Sequence, residues 1–279
     1  MSDNQPAASG LFETATDQEA IAKAVAAAAP VAPERADLAL VNTLDPALRE
    51  PMFALLASLA DNKYVLGRRY AEWCTGAPML ESAVAAAAMA QDELGHSRST
   101  YPVLKALDVQ IAEEEAPFGG DRRLALLDAE LEDWTALVAA NLLVDGVLTT
   151  FVAACADSTV TPLAQRARKI LQEEGSHRVH AEAWARRLCR SGERQRELLT
   201  ARLEQTWEQA GRWSGPASDP GFEAAVALGM VATDAAGQRR LMRTWLADLL
   251  AREGLELELS EPTDFSRWDA GRRRWEPGT

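Results

Sequence analysis

The chain has 279 residues, 47% of them hydrophobic and 25% charged, with a formal net charge of -13. That length and composition describe a globular chain able to bury a full core, and the negative balance argues against nucleic acid or an anionic membrane as partner. No apolar run is expected to reach the ~20 residues of a membrane span. Met1-Ser2-Asp3-Asn4-Gln5-Pro6 also lacks the basic-then-apolar pattern of a signal peptide, so the expected location is the cytoplasm.

In chain order, residues 1–35 are rich in Ala, Pro and small polar residues and read as a flexible N-terminal extension. Residues 36–215 read as a bundle. Asp45-Pro46 marks a helix start, Phe53, Leu56, Leu59, Val65 and Leu66 repeat with helical spacing, and Thr75-Gly76-Ala77-Pro78 ends the run after Cys74. An Ala-rich second helix is expected from Met79 to Leu107, and Glu113-Glu114-Glu115-Ala116-Pro117-Phe118-Gly119-Gly120 breaks the chain. A third helix is expected from Arg122 to Ala156 and, after a turn over Ser158 to Pro162, a fourth reaching Cys189. Two long hairpins joined by a longer connection predict an all-α four-helix bundle of the ferritin-like kind. Residues 216–279 add C-terminal helices and a tail in which Trp268 and Trp275 stand among arginines, a composition suited to an interface with a partner or with this bundle. Cys74, Cys155 and Cys189 make no CxxC pair and read as core thiols.

The motif that organises the chain is Gln91-Asp92-Glu93-Leu94-Gly95-His96. Glu93 and His96, three apart on a helix, project from one face and can hold one metal ion. The spacing returns as Glu174-Gly175-Ser176-His177, and His180 is the only other histidine in the chain. Both pairs interrupt apolar stripes: Ala86, Met89, Thr100 and Leu104 flank the first, and Leu163, Ala167, Ile170, Ala181, Trp184 and Leu188 the second. A charge inside such a stripe requires a partner, either a metal or an internal salt bridge. In an antiparallel hairpin, residues equidistant from the turn lie side by side. That symmetry pairs Glu93 with Asp61 and Glu174 with Asp145, the lone charge in Asn141-Leu142-Leu143-Val144-Asp145-Gly146-Val147-Leu148. The expected metal ligands are therefore Asp61, Glu93, His96, Asp145, Glu174 and His177, with a salt bridge as the alternative role for Asp61. Gly95, Gly146 and Gly175 beside these positions are expected to leave room near the site.

These motifs together resemble the catalytic subunit of bacterial phenylacetyl-CoA epoxidase, a ferritin-like multicomponent oxygenase, over roughly residues 50 to 215. Leu59-Ala60-Asp61-Asn62, Glu72-Trp73-Cys74 and Ala77-Pro78 look more like its non-catalytic partner subunit. The resemblance implies two iron ions held by Glu93, His96, Asp145, Glu174 and His177, with Glu93 and Glu174 carrying catalysis. It further implies O2, an aromatic acyl-CoA to be epoxidised, a second ferritin-like subunit and oligomeric assembly. The family's first-helix Glu falls on Lys63 by gap-free counting and on Asp61 only after a two-residue shift, so catalyst and scaffold both remain open. Asp61 is the expected ligand, because a lysine stem can reach solvent whereas a short Asp cannot. No nucleotide or iron–sulfur motif occurs, so electrons are expected from a separate reductase. His180, six residues from Glu174, is expected to play a structural part or to support the ligands from behind.

Overall fold

The computed structural model describes residues 46–107 and 120–278. The N-terminal extension expected over residues 1–35 and most of the Glu113 to Gly120 break lie outside the described residues. Four helical segments form the bundle: α1 (Pro46–Glu72), α2 (Leu80–Leu107), a third segment made of α3 (Trp134–Ala140) and α4 (Gly146–Ala154), and α5 (Thr161–Arg190). Between α3 and α4 one wider π-type turn, Asn141–Asp145, keeps the segment continuous. Such a turn shifts the face of every later residue relative to an unbroken α-helix. Around the bundle lie α6 (Glu193–Ala210), α7 (Pro220–Ala227) and α8 (Ala235–Ala251), and the chain ends in a small antiparallel ribbon of β1 (Trp268–Asp269) and β2 (Arg274–Trp275).

Local chemistry sets these boundaries. The third segment begins at Trp134, not at Arg122 as the sequence suggests, because Asp133 accepts the Ala136 N–H at 2.8 Å and caps the helix there. The preceding stretch is tied down as a connection instead: Leu124 N–H donates to the Asn62 side chain at 2.9 Å, and Arg69 donates to the Leu127 carbonyl. Asp219 and Asp234 cap α7 and α8 in the same way. Gly192, at φ 102°, makes the tight joint between α5 and α6 that an L side chain would oppose.

Trp134–Ala154 is a 21-residue apolar run, longer than the sequence reading allowed, and most of it is buried in the bundle. Leu137, Leu142, Leu143, Val144 and Leu148 there are fully inaccessible. Its apolarity is that of a central core segment, packed by α5, α6 and α8, rather than one facing lipid. Phe151 packs edge-on against Trp213 at 5.2 Å and Phe222 at 5.7 Å, so the later helices share the bundle's core.

Candidate functional site

Halfway along the bundle the apolar interior gives way to a knot of charge. Glu93 from α2, Asp145 from the π turn and Glu174 from α5 converge there, each at most 3% exposed, with His96 and His177 beside them. The π turn aims Asp145 inward and lets Asn141 donate to its Oδ2 at 3.2 Å. His177 Nδ1 lies 3.1 Å from Asp145 Oδ2 and 3.4 Å from both Glu93 and Glu174. His96 Nδ1 lies 3.1 Å from Glu174 Oε1 and 3.5 Å from Glu93 Oε1. The spacing argument thus brings five of its six residues to one point.

The sixth is corrected. Asp61 is buried, but its carboxylate faces the connection after the second helix, where it accepts the Gly120 N–H at 3.1 Å and the Arg122 N–H at 3.2 Å. A side chain at Gly120 would collide with it, since a Cβ there would stand 2.6 Å from Asp61 Oδ2. Burial pushes the Asp61 carboxyl up to about 6 against the lowering effect of those two hydrogen bonds. Lys63, turned about 200° from Asp61 around the helix, takes the inward place. Its Nζ lies 2.9 Å from Glu93 Oε1 and 2.7 Å from Asp145 Oδ1, and also contacts Glu174 Oε1. The stem does not run to solvent as expected. At 1% exposure it is among the most buried large side chains, because three carboxylates attract the ammonium more strongly than the core opposes it.

The electrostatics follow. Burial alone would lower the Lys63 pKa, but Asp145, Glu174 and Glu93 hold it well above the ordinary lysine value. Burial would raise Glu174, yet Lys63 keeps it below the usual range. Burial and Asp145 raise Glu93 and are outweighed by Lys63 and the two histidines. Against burial, the adjacent carboxylates lift His96 to about 9 and His177 to about 11. Three carboxylates are therefore balanced by one ammonium and two imidazolium rings.

Two residues of the arrangement escape a search for Glu-x-x-His alone. Glu173 Oε2 lies 2.8 Å from His96 Nε2, and Asp92 Oδ2 lies 3.3 Å from His177 Nε2. The acid immediately before each motif orients the histidine of the other. Carboxylate support of this kind fixes ring orientation in metal sites, and the available signal was an acid preceding both glutamates. Tyr70, two turns after Lys63, was also missed; its hydroxyl stands 3.5 Å from Asp145 Oδ2. His180 turns away to Trp134, with Nδ1 3.4 Å from Asn141 Oδ1. Of the three glycines, only Gly146 makes room, for Met242; a Cβ at Gly95 or Gly175 would meet nothing within 4 Å.

Glu93, Asp145, Glu174 and His177 each offer a donor atom within 4.8 Å of the others, a set that could hold a metal ion. A cleft of about 570 Å³, walled by residues such as Leu171, Ala181, Met242 and Trp245, reaches Asp145 and Glu174. The residues do not fit a pair of irons in this arrangement. A two-metal centre of this fold takes a carboxylate from each of the two remaining helices, whereas α1 delivers an ammonium that contacts all three carboxylates of the other segments.

Among curated proteins none matches this chain. The model of a family described as phenylacetic acid catabolic protein matches residues 41–278, so the tail beyond residue 215 falls within the match as well as the bundle. With most of its length covered and the buried acid–histidine core in place, the chain belongs to the phenylacetic acid catabolic protein family of phenylacetate oxygenase subunits.

Proposed function

We propose that this chain is the non-catalytic, metal-free ferritin-like subunit of a multicomponent oxygenase that epoxidises the ring of an aromatic acyl-CoA such as phenylacetyl-CoA. One observation carries the reading: Lys63 Nζ occupies the centre of the carboxylate cluster, where metal-bearing relatives of this fold need a fourth carboxylate. Family membership supports the assembly and the pathway. In this role the chain acts by folding into a rigid bundle that holds and orients a metal-bearing second subunit, which receives electrons from a separate reductase. The net charge of -13 and the burial of the most apolar segment accord with a cytoplasmic location.

A second reading is favoured by the four donors within 4.8 Å and the cleft that reaches two of them. There the chain is itself the di-iron subunit: Glu93, His96, Asp145, Glu174 and His177 hold iron, which would supply oxygen activation, and Lys63 withdraws. One experiment separates the two. The full-length chain, purified without a chelating tag, is analysed for iron and near-ultraviolet oxo-to-iron absorption, then assayed with reductase and acyl-CoA, with and without a metal-bearing partner subunit. The structural reading predicts no stoichiometric iron and activity only when the partner is added. Two irons per chain and turnover without the partner would establish the second reading.

A further inference from the structure

The cluster satisfies its charges better than its hydrogen bonds. Glu93 Oε2 is buried and has no hydrogen-bond partner, and buried His96 Nδ1 meets only carboxylate oxygens, at 3.1 Å and beyond. An ammonium has three N–H donors and no more. Lys63 directs its bonds at one oxygen each of Glu93, Asp145 and Glu174. Nothing remains for the second Glu93 oxygen. Five inward residues, with both histidines presenting Nδ1 to the same carboxylates and both supported from behind by a carboxylate on Nε2, make a donor set larger than an ammonium can use. Ions that take four to six ligands would use all of it.

We propose that Lys63 is a resident cation standing in a retained metal position, and that this one side chain decides whether the bundle binds metal. The inference rests on the reading of the chain as the metal-free subunit and adds that the metal site is intact apart from residue 63. Lys63 Nζ is 2.7 and 2.9 Å from two carboxylate oxygens, the distances of charge-assisted hydrogen bonds. Withdrawing the ammonium would leave three buried carboxylates around one point. A carboxylate at position 63 would complete the donor set, with one acid from α1 and one from the π turn joining the two Glu-x-x-His pairs.

The test uses the full chain and Lys63→Glu and Lys63→Ala variants, expressed in manganese-supplemented medium so that a metal-dependent fold can form. Each protein is dialysed against excess Mn(II) or Co(II), gel-filtered and analysed for metal per chain. Thermal midpoints are read with and without EDTA, and cobalt binding is followed by visible absorption. The expected result is no stoichiometric metal on the parent chain and a midpoint indifferent to EDTA. Lys63→Glu should bind two ions and Lys63→Ala fewer, each with a midpoint that falls on chelation. A parent chain that loads two ions with Lys63 in place would overturn the metal-free reading and the inference together. A metal-free parent beside a folded Lys63→Glu that takes up no metal would overturn the inference alone. If neither variant folds even with metal present, the position is not a latent metal site, and the inference fails on that outcome too.

Discussion

Asp61 and Lys63 stand two residues apart and serve opposite purposes. Asp61 holds the connection after the second helix by accepting two backbone N–H groups, so its removal leaves those donors without their partner. Asp61→Ala should cost about 1–3 kcal/mol in urea unfolding, the range for orphaning a buried hydrogen-bonding group, and leave metal content unchanged. His180 gives a residue-scale prediction with a pH sign. Burial, and secondarily charged His177, lower its pKa to about 4, so the folded state keeps the ring neutral. The unfolded chain takes up that proton near pH 6.5. A histidine depressed in the folded state destabilises it as pH falls below the unfolded value, with the loss complete near pH 4. His180→Phe should therefore lose less stability than the parent between pH 7.5 and 5, measured by urea midpoints at each pH. Equal losses would show that His180 does not titrate across the transition.

At the scale of elements, the helices were legible because their signals are local: Pro46 at a start, Thr75 to Pro78 at a stop, and apolar stripes between them. Hairpin symmetry then found Asp145. It failed for Asp61 because a two-residue error on a helix reverses the face, and both faces of α1 are buried: Asp61 at 5%, Lys63 at 1% and Asn62 fully. Every residue from Leu55 to Lys63 is buried, and periodicity cannot orient a stretch with no exposed side. The π turn was equally illegible, since the partners Asp145 meets there, Lys63 and His177, are distant in sequence. Close approach of backbones is another such effect. Gly221 at the start of α7 lies so near α1 that a Cβ would stand 2.4 Å from the Pro51 carbonyl oxygen. Because that neighbour is backbone and cannot swing aside, Gly221→Ala should destabilise by about 1–3 kcal/mol, seen as an earlier urea midpoint at unchanged slope.

For the whole molecule, the C-terminal ribbon matters more to the chain's own stability than its sequence alone suggests. Arg273 is 3% exposed, and its Nη1 donates to both Asp219 oxygens, at 2.7 and 2.6 Å. Asp219 in turn caps α7, so the last residues of the chain fasten the helix that packs on α1. Arg274 reaches Asp128 in the connection before α3, and Trp275 is buried beneath the Arg212 guanidinium, 4.5 Å from its ring centre. Of the tryptophan and arginine pattern in the tail, Arg273, Arg274 and Trp275 turn onto the chain itself, while Trp268 stays half-exposed. Breaking one side of a buried ion pair costs roughly 3–5 kcal/mol, because the remaining charge stays buried. Arg273→Ala should therefore lower the thermal midpoint by roughly 10 °C, on a scale of about 2–4 °C per kcal/mol for a chain of this size. Truncation after Pro262 should lower it further. Both are measured on the isolated chain, where no partner can contribute. An unchanged midpoint joined to lost binding of a second subunit would instead make the ribbon an intermolecular contact. A lowered midpoint with binding restored below the melting range would make it an internal clasp.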